Sequence, residues 1–293
     1  MHQQVESHLV QCGREISVPE LEEIRETVRL FGRLSRSELA MTVCEHLGWY
    51  SVTGNPKMDA CVKLLEKLES EGVLSLPQRR AGSPRERRPL DVTERTDRGA
   101  QIECSLREVG GIRLEVVRGR EETELWNEYV HRYHYLGYKK PFGCFARYFV
   151  ESDHGRLGCL LFSGAAKALR QRDRWIGWSE GSRLRNLGLV VNNTRFVVFA
   201  WVKVKNLASH VLGQAVRRIG DDWEERWSYR PVLLETFVDP GRFEGTCYRA
   251  CNWRYLGMTS GEGLVRKGKE YATSPKKIFV KPLADDFRAL LCS

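Results

Sequence analysis

Residues 78–98, QRRAGSPRERRPLDVTERTDR, hold seven arginines, two prolines and almost no large apolar side chains, so this stretch contributes little to any core. A chain of 293 residues interrupted there is expected to fold as two bodies, residues 1–77 and 106–293, joined by an arginine-rich linker over 78–105. The hydrophobic fraction of 42%, with eight Trp, is enough for each body to bury a core. The formal charge is +9, and arginine carries the excess, 34 against 13 lysines. Arginine's planar fork suits bidentate contacts with phosphates and base edges, so a polyanionic partner, DNA above all, is expected. In the linker, Arg79, Arg80, Arg85, Arg87 and Arg88 surround a single Glu86; such a segment can follow a phosphate backbone or enter a minor groove, and it serves equally as a solvated tether.

Upstream, three helical patterns follow one another. Leu21, Ile24, Val28 and Phe31 recur at three- and four-residue spacing, with the acidic residues early, where the helix dipole favours them. Ser35-Arg36-Ser37-Glu38 has the spacing of a capping box and opens a second helix that ends at Gly48. Pro56 is placed as the first residue of a third helix, whose apolar stripe is Met58, Cys61, Leu64, Leu65 and Leu68. A short β run over 73–77 leads into the arginines. Three helices and then a β element is the order of a winged helix-turn-helix, in which Asn55 and Lys57, with Asp59, would meet the major groove first; small trihelical domains also dock proteins.

The second body alternates strands and helices, as a mixed-sheet α/β domain does, and makes the whole chain α+β. Expected elements include a strand over 112–117, a helix over 121–133, paired strands over 144–150 and 157–162, and a helix over 165–174. A strand over 195–202, a helix over 206–219 capped by Asn206, and a strand over 232–238 complete the order. Glu235 interrupts the apolar run VLLETFV, where an ionised carboxylate needs a partner or a cleft, and Asp239 follows four residues on. Together they could hold a divalent metal such as Mg²⁺ or divide acid and base roles; alternatively Glu235 pairs with Arg195 and Asp239 forms the Asp-Pro-Gly turn. His134, in an H-x-x-H pair with His131, is a candidate general base. Asn193 and Arg195, with Asn192, should cluster where an apolar strand begins. Tyr248 and Arg249 stand at a helix start that could meet an anion, and Cys247 and Cys251 are expected to face the core. The nine cysteines form no C-x-x-C pair, which leaves disulfides and a zinc ribbon without support. No stretch reaches the ~18 apolar residues of a membrane span, and the N-terminus lacks a signal-peptide pattern, so a cytoplasmic protein with no membrane partner is expected.

The blocks HRYHYLGYKKPFG, RDRWIGW, NNTRFVVFAWVKVKNLASHVL, DDWEERWSYRPVLLETFVD and RFEGTCYRACNWRYLG, in that order over 131–257, closely resemble the DruA family of the Druantia anti-phage system, a domain also found fused to transposases. The resemblance implies recognition of DNA or action on it, alongside other defence-system or mobile-element proteins. The order of elements is also similar to the GNAT acyltransferase layout, with YRACNWRYLG standing where that superfamily has a late helix carrying a tyrosine. Where those enzymes cradle pyrophosphate on an R/Q-x-x-G-x-G/A loop, KVKNLASHVLGQ has no such glycines. Two functions follow as expectations: DNA cleavage or base modification near Glu235, or acyl or aminoacyl transfer with Glu235 or His134 as base and Tyr248 as acid. A non-catalytic adaptor that recruits a helicase or nuclease is a third.

Overall fold

A computed structural model describes residues 9–32, 34–52, 54–78, 90, 92–141, 144–261 and 274–293. The chain divides into two units, one of residues 1–87 with 179–186, the other of residues 88–178 with 187–293.

The first unit opens with an antiparallel hairpin, β1 (Leu9–Gln11) and β2 (Arg14–Ile16), followed by α1 (Val18–Leu30), α2 (Arg36–His46) and α3 (Met58–Ser70). Both α1 and α2 begin with a reciprocal capping box, Ser17 with Glu20 and Ser35 with Glu38, which satisfies backbone N–H groups that a helix leaves unpaired. Ile24 and Val28, Leu39 and Val43, and Leu64 and Leu68 close one apolar core. Two expectations need correction. Pro56 precedes the third helix and bridges Tyr50, so the helix starts at Met58 with Lys57 as its cap. Residues 74–78, at the place of the expected β run, carry no strand pairing among the described residues, and the β element described in this unit is the N-terminal hairpin.

The second unit contains β3 (Ile102–Cys104), β4 (Arg113–Val116), α4 (Arg120–Tyr133), β5 (Phe145–Ser152), β6 (Gly155–Gly164) and α5 (Arg170–Ile176). After α6 (Glu180–Asn186), which belongs to the first unit, come β7 (Val190–Val198), β8 (Val202–Val204), α7 (Leu207–Trp227), β9 (Leu233–Val238), α8 (Thr246–Ala250), β10 (Arg254–Met258), β11 (Lys277–Pro282) and α9 (Phe287–Cys292). Seven strands form a sheet in the order β10-β11-β9-β7-β6-β5-β4. Its strands pair antiparallel except β7 and β9, which are parallel over three pairs: Val190 with Leu233, Val191 with Leu234, Asn192 with Glu235. Beyond those pairs the two strands part. Helix α7 makes the crossover that a parallel pair requires, and it buries Leu212, Ala215, Ile219 and Trp223. It runs past the expected end at residue 219, where Arg218 holds Asp222 through two hydrogen bonds and Tyr148 donates to the same carboxylate at 2.8 Å. Asn206 sits at its start with φ 64° and no side-chain cap bond, so it turns the chain without capping it.

The later part of the arginine-rich stretch is ordered into this unit. Thr93 and Thr96 donate to the buried carboxylate of Glu128 on α4, Arg132 pairs with Asp97 at 2.6 Å, and β3 pairs in parallel with β8. Residues 92–104 therefore belong to the second body, a correction to a linker running to 105. Position 163 lies in β6, and the helix expected over 165–174 forms only from Arg170. The strand expected over 195–202 starts earlier, at Val190, and ends at Val198, so Asn192, Asn193 and Arg195 lie within it.

A candidate binding site at the strand fork

The fork arises from one extra residue. Arg195 pairs with Leu161 and Asn193 with Phe162, so Thr194 has no partner across the strand pair. A bulge of this kind bends its strand and re-aims the neighbouring side chains. Asn193 and Thr194, adjacent in sequence, both line the cavity that opens between β7 and β9, where regular alternation would admit one of them.

The cavity encloses about 500 Å³, within the range usual for small-ligand pockets. Its floor is a hydrogen-bonded set. Tyr248 of α8 donates to Asn193 Oδ1 at 2.7 Å, Thr236 of β9 donates to the Asn193 carbonyl at 2.9 Å, and Asn193 Nδ2 donates to the carbonyls of Leu161 and Arg195. Burial raises the Tyr248 pKa, so the phenol keeps its proton and serves as a donor. The walls are aromatic: Tyr133, Tyr135, Phe196 and Phe243, with Tyr135 and Phe243 centroids 5.8 Å apart and Arg242 4.9 Å from the Tyr135 ring.

His134 stands at the cavity as the residue ending α4. Its ring stacks on Tyr135 at 4.9 Å, and Nδ1 accepts the Leu136 N–H at 3.2 Å. Burial, assisted by the positive charges of Arg195 and Lys276, lowers its pKa to about 4. Near neutrality the ring is uncharged, its acceptor nitrogen is taken by backbone, and Nε2 carries the proton. That makes His134 a hydrogen-bond donor, in place of the base expected from sequence. A pH dependence follows. Above about pH 6.5 the imidazole is neutral folded and unfolded, and its contribution to stability is complete. As pH falls towards 4 the unfolded chain takes up a proton that the folded chain refuses, removing roughly 2 kcal/mol once the solvent-facing part of the ring is allowed for. Thermal unfolding across pH 4–7 should show wild type losing stability more steeply than His134→Asn, and parallel curves would contradict this environment.

Glu235 is elsewhere. Strand alternation puts it on the side of Leu233, whose neighbours are Ile176, Trp178 and Val280, away from Thr236 and Val238 at the cavity. Fully buried, it accepts from Arg172 Nη1 at 2.8 Å and from the Ala166 N–H at 2.8 Å, and Arg172 is itself fully buried. The expected site around Glu235 is thus a structural ion pair, and its partner is Arg172. Arg195 donates instead to the carbonyls of Gly137 and Thr194. Asp239 does line the cavity, yet it also accepts the Gly241 N–H in its own turn, and the two carboxylates do not share a site. Glu244, a further cavity residue, pairs with Lys277 at 2.6 Å. Among the described residues no three His, Cys, Asp or Glu side chains stand where they could hold a metal ion, so the expected Mg²⁺ finds no ligand set there. Cys247 borders the cavity, with its thiol pKa pushed up to about 11 by burial, and Cys251 donates to the Ser209 carbonyl.

Of the residues expected to meet nucleic acid, Lys57 directs its ammonium to the Leu184 carbonyl at 3.4 Å, and burial lowers its pKa, which weakens its case as a phosphate contact. Asn55 is exposed in a turn tied to Ser51. Arg79, Arg80, Arg85, Arg87 and Arg88 lie outside the described residues. Sequence reasoning missed Thr236, Tyr135 and Phe243; the signal for the fork was the polar Asn-Asn-Thr step inside an apolar strand.

The GNAT likeness implies coenzyme A, and the residues do not fit it. In the connection from β7 to α7, Trp201 is buried, stacked on Phe199 at 4.6 Å, and Val202–Val204 are committed to β3. No glycine occurs between Phe199 and Leu212 to bring backbone N–H groups close to a pyrophosphate.

Comparison with known proteins yields a family model described as Druantia protein DruA, which matches residues 67–272. No curated protein matches the chain. Among solved structures, a Bacillus subtilis acetyltransferase in complex with CoA is 9% identical with a TM-score of 0.35, and the match covers 59% of this chain and 100% of that one. An aminoglycoside acetyltransferase in complex with coenzyme A is 12% identical with a TM-score of 0.39, covering 59% and 95%. A Drosophila melanogaster polyamine N-acetyltransferase is 10% identical with a TM-score of 0.36, covering 58% and 100%.

Proposed function

The chain belongs to the Druantia protein DruA family, and from that premise we propose that it is a DNA-binding defence protein whose forked cavity receives a nucleobase from the bound strand. The observation that carries this reading is the pairing of aromatic walls with a polar floor at the fork: Tyr135, Phe196 and Phe243 beside Asn193, Thr236 and Tyr248. Enzymes that act on a base take it out of the stack, hold its faces against rings and read its edge with hydrogen bonds. Here Tyr135 and Phe243 offer faces, and the His134 Nε2–H offers a donor at the cavity. The net charge of +9 and the arginine-rich segment before residue 90 supply the attraction to phosphate. Base recognition, with modification of that base as its outcome, is favoured over strand cleavage because Glu235 is committed to Arg172 and, among the described residues, the cavity carboxylates Asp239 and Glu244 belong to no group of three metal-ligating side chains.

The test is titration of the full chain into an oligonucleotide carrying one 2-aminopurine, as duplex and as single strand, at 50–300 mM salt. The expected result is binding that weakens steeply with salt, accompanied by at least a two-fold change in 2-aminopurine emission as the base leaves its stack. Absence of DNA binding at every salt concentration would overturn the proposal. Binding with unchanged emission at every probe position would remove base capture. In the same buffers acetyl-CoA should leave the melting temperature where it was, since a ligand of the folded state would raise it.

A further inference from the structure

We propose that the edge of the seven-stranded sheet carries a track for single-stranded DNA, built from Arg170 and Arg174 of α5, Arg254 and Tyr255 of β10, and the Trp175–Arg288 pair. The inference rests on the DNA-binding reading above and names the form of DNA and the surface that takes it.

A cleft of about 550 Å³ lies between α5 and the edge strand β10, held together by the Gln171 side chain, which donates to the Met258 carbonyl. Arg170, Arg174 and Arg254 are all exposed around it, and among the described residues none of the three pairs with a carboxylate. Arg118, Arg120 and Arg230 of this unit are neutralised, by Glu225 at 2.8 Å, Glu124 at 2.7 Å, and Asp221 with Glu224. Arg217, Arg226 and Arg242 are as exposed without an ion pair among the described residues, so it is the gathering of three such groups at one cleft that marks this edge. Three guanidinium groups gathered without counter-charges repel one another, and a bound polyanion relieves that repulsion.

Rings alternate with the cations. Arg288 lies 4.8 Å and Arg254 5.9 Å from the Trp175 ring, and Tyr255 is 43% exposed with Arg249 5.9 Å from its ring. Trp175 is stacked on Phe287 at 5.2 Å and anchors the two arginines, which leaves Tyr255 as the exposed ring; guanidinium groups for phosphates beside such a ring suit an unpaired strand, whereas a duplex hides its base faces. The edge strand spans both faces of the sheet. Arg254 pairs with Val280 on the Glu235 side, whereas Tyr255 pairs with Phe279 on the side of the fork, where Phe279 meets Tyr255 at 5.5 Å and stacks on Tyr248 of the cavity floor at 5.8 Å, so Tyr255 links the cleft to the rings beneath the cavity.

The experiment is fluorescence anisotropy of labelled dT20 with the full chain over a salt series, comparing wild type with Arg170→Ala/Arg174→Ala/Arg254→Ala, each checked for unchanged melting temperature. For single strands each phosphate contact contributes ~0.7 to the slope of log Kobs against log salt, so the triple variant should lose about 2 from that slope and bind about 10-fold or more weakly. An oligonucleotide with abasic central positions should bind wild type about 10-fold more weakly than dT20, and Tyr255→Ala should erase that difference. Wild type binding with an unaltered slope in the triple variant would overturn the track and leave the DNA-binding reading standing. Equal affinity for abasic and ordinary strands would overturn it as well, leaving a phosphate surface. Absence of any DNA binding by wild type would take the reading down and the track with it.

Discussion

Glu235→Ala should cost about 3 kcal/mol of stability, the lower end of what removal of one partner costs at a buried ion pair, because Arg172 keeps Asp173 beside it. The change opens a hole beside the fully buried Arg172 guanidinium, which keeps Asp173 as its counter-ion and the Ala166 carbonyl as a further acceptor. The Ala166 N–H loses its acceptor in the same step. Arg172→Met/Glu235→Leu removes both fully buried charges and should recover part of the loss, because an apolar pair of similar volume avoids the desolvation that two buried ions carry, while the partly exposed Asp173 loses its ion pair. Chemical denaturation of the three proteins decides the matter. If Glu235→Ala unfolds at the wild-type midpoint, the pair is not the structural element described here, and a role in chemistry regains its place.

Filling the fork should separate base capture from DNA binding. Ala208 lies in the first turn of α7, half-buried against the cavity, and Ala208→Trp would occupy much of the 500 Å³ without displacing a core residue. DNA affinity, set mainly by phosphate contacts, should stay within about three-fold of wild type. The 2-aminopurine response should vanish, and any DNA-directed activity should fall about 100-fold, the scale expected when a reacting group is kept from its place. Retention of both signals in a folded Ala208→Trp protein would exclude the fork as the site.

Much of this architecture was legible in the chain. The capping boxes at Ser17 and Ser35 and the stripe Cys61, Leu64, Leu65, Leu68 are local signals, and the elements they mark formed where the spacing put them. The strand VLLETFV was equally plain, and so was the odd status of its glutamate. What the pattern could not supply was the partner. Arg195 is nearer in the expected sheet, but it points to Gly137, while Arg172 arrives from a helix 63 residues away in sequence. The fork depended on an equally non-local fact: Asn193, Thr236 and Tyr248 meet only because β7 and β9 run parallel and then separate. Residues 92–104 read as linker by composition, yet Thr93 and Thr96 reach a carboxylate on α4 and β3 finds β8. Polar anchoring of that kind leaves no apolar periodicity to detect.

The unpaired Thr194 has a consequence for how this family can vary. Asn193 pairs with Phe162 and Arg195 with the next residue, Leu161, so the strand on either side of Thr194 is already in step with its neighbour. Removing Thr194 would leave every later pair of β7 where it is, and the strand would lose its bend and one side chain at the fork. Removing any one of the paired residues after it would instead slip the register and turn the rest of the wall inside out. The length of this strand is therefore free to change by one at Thr194, while beyond that point it is fixed by its neighbour.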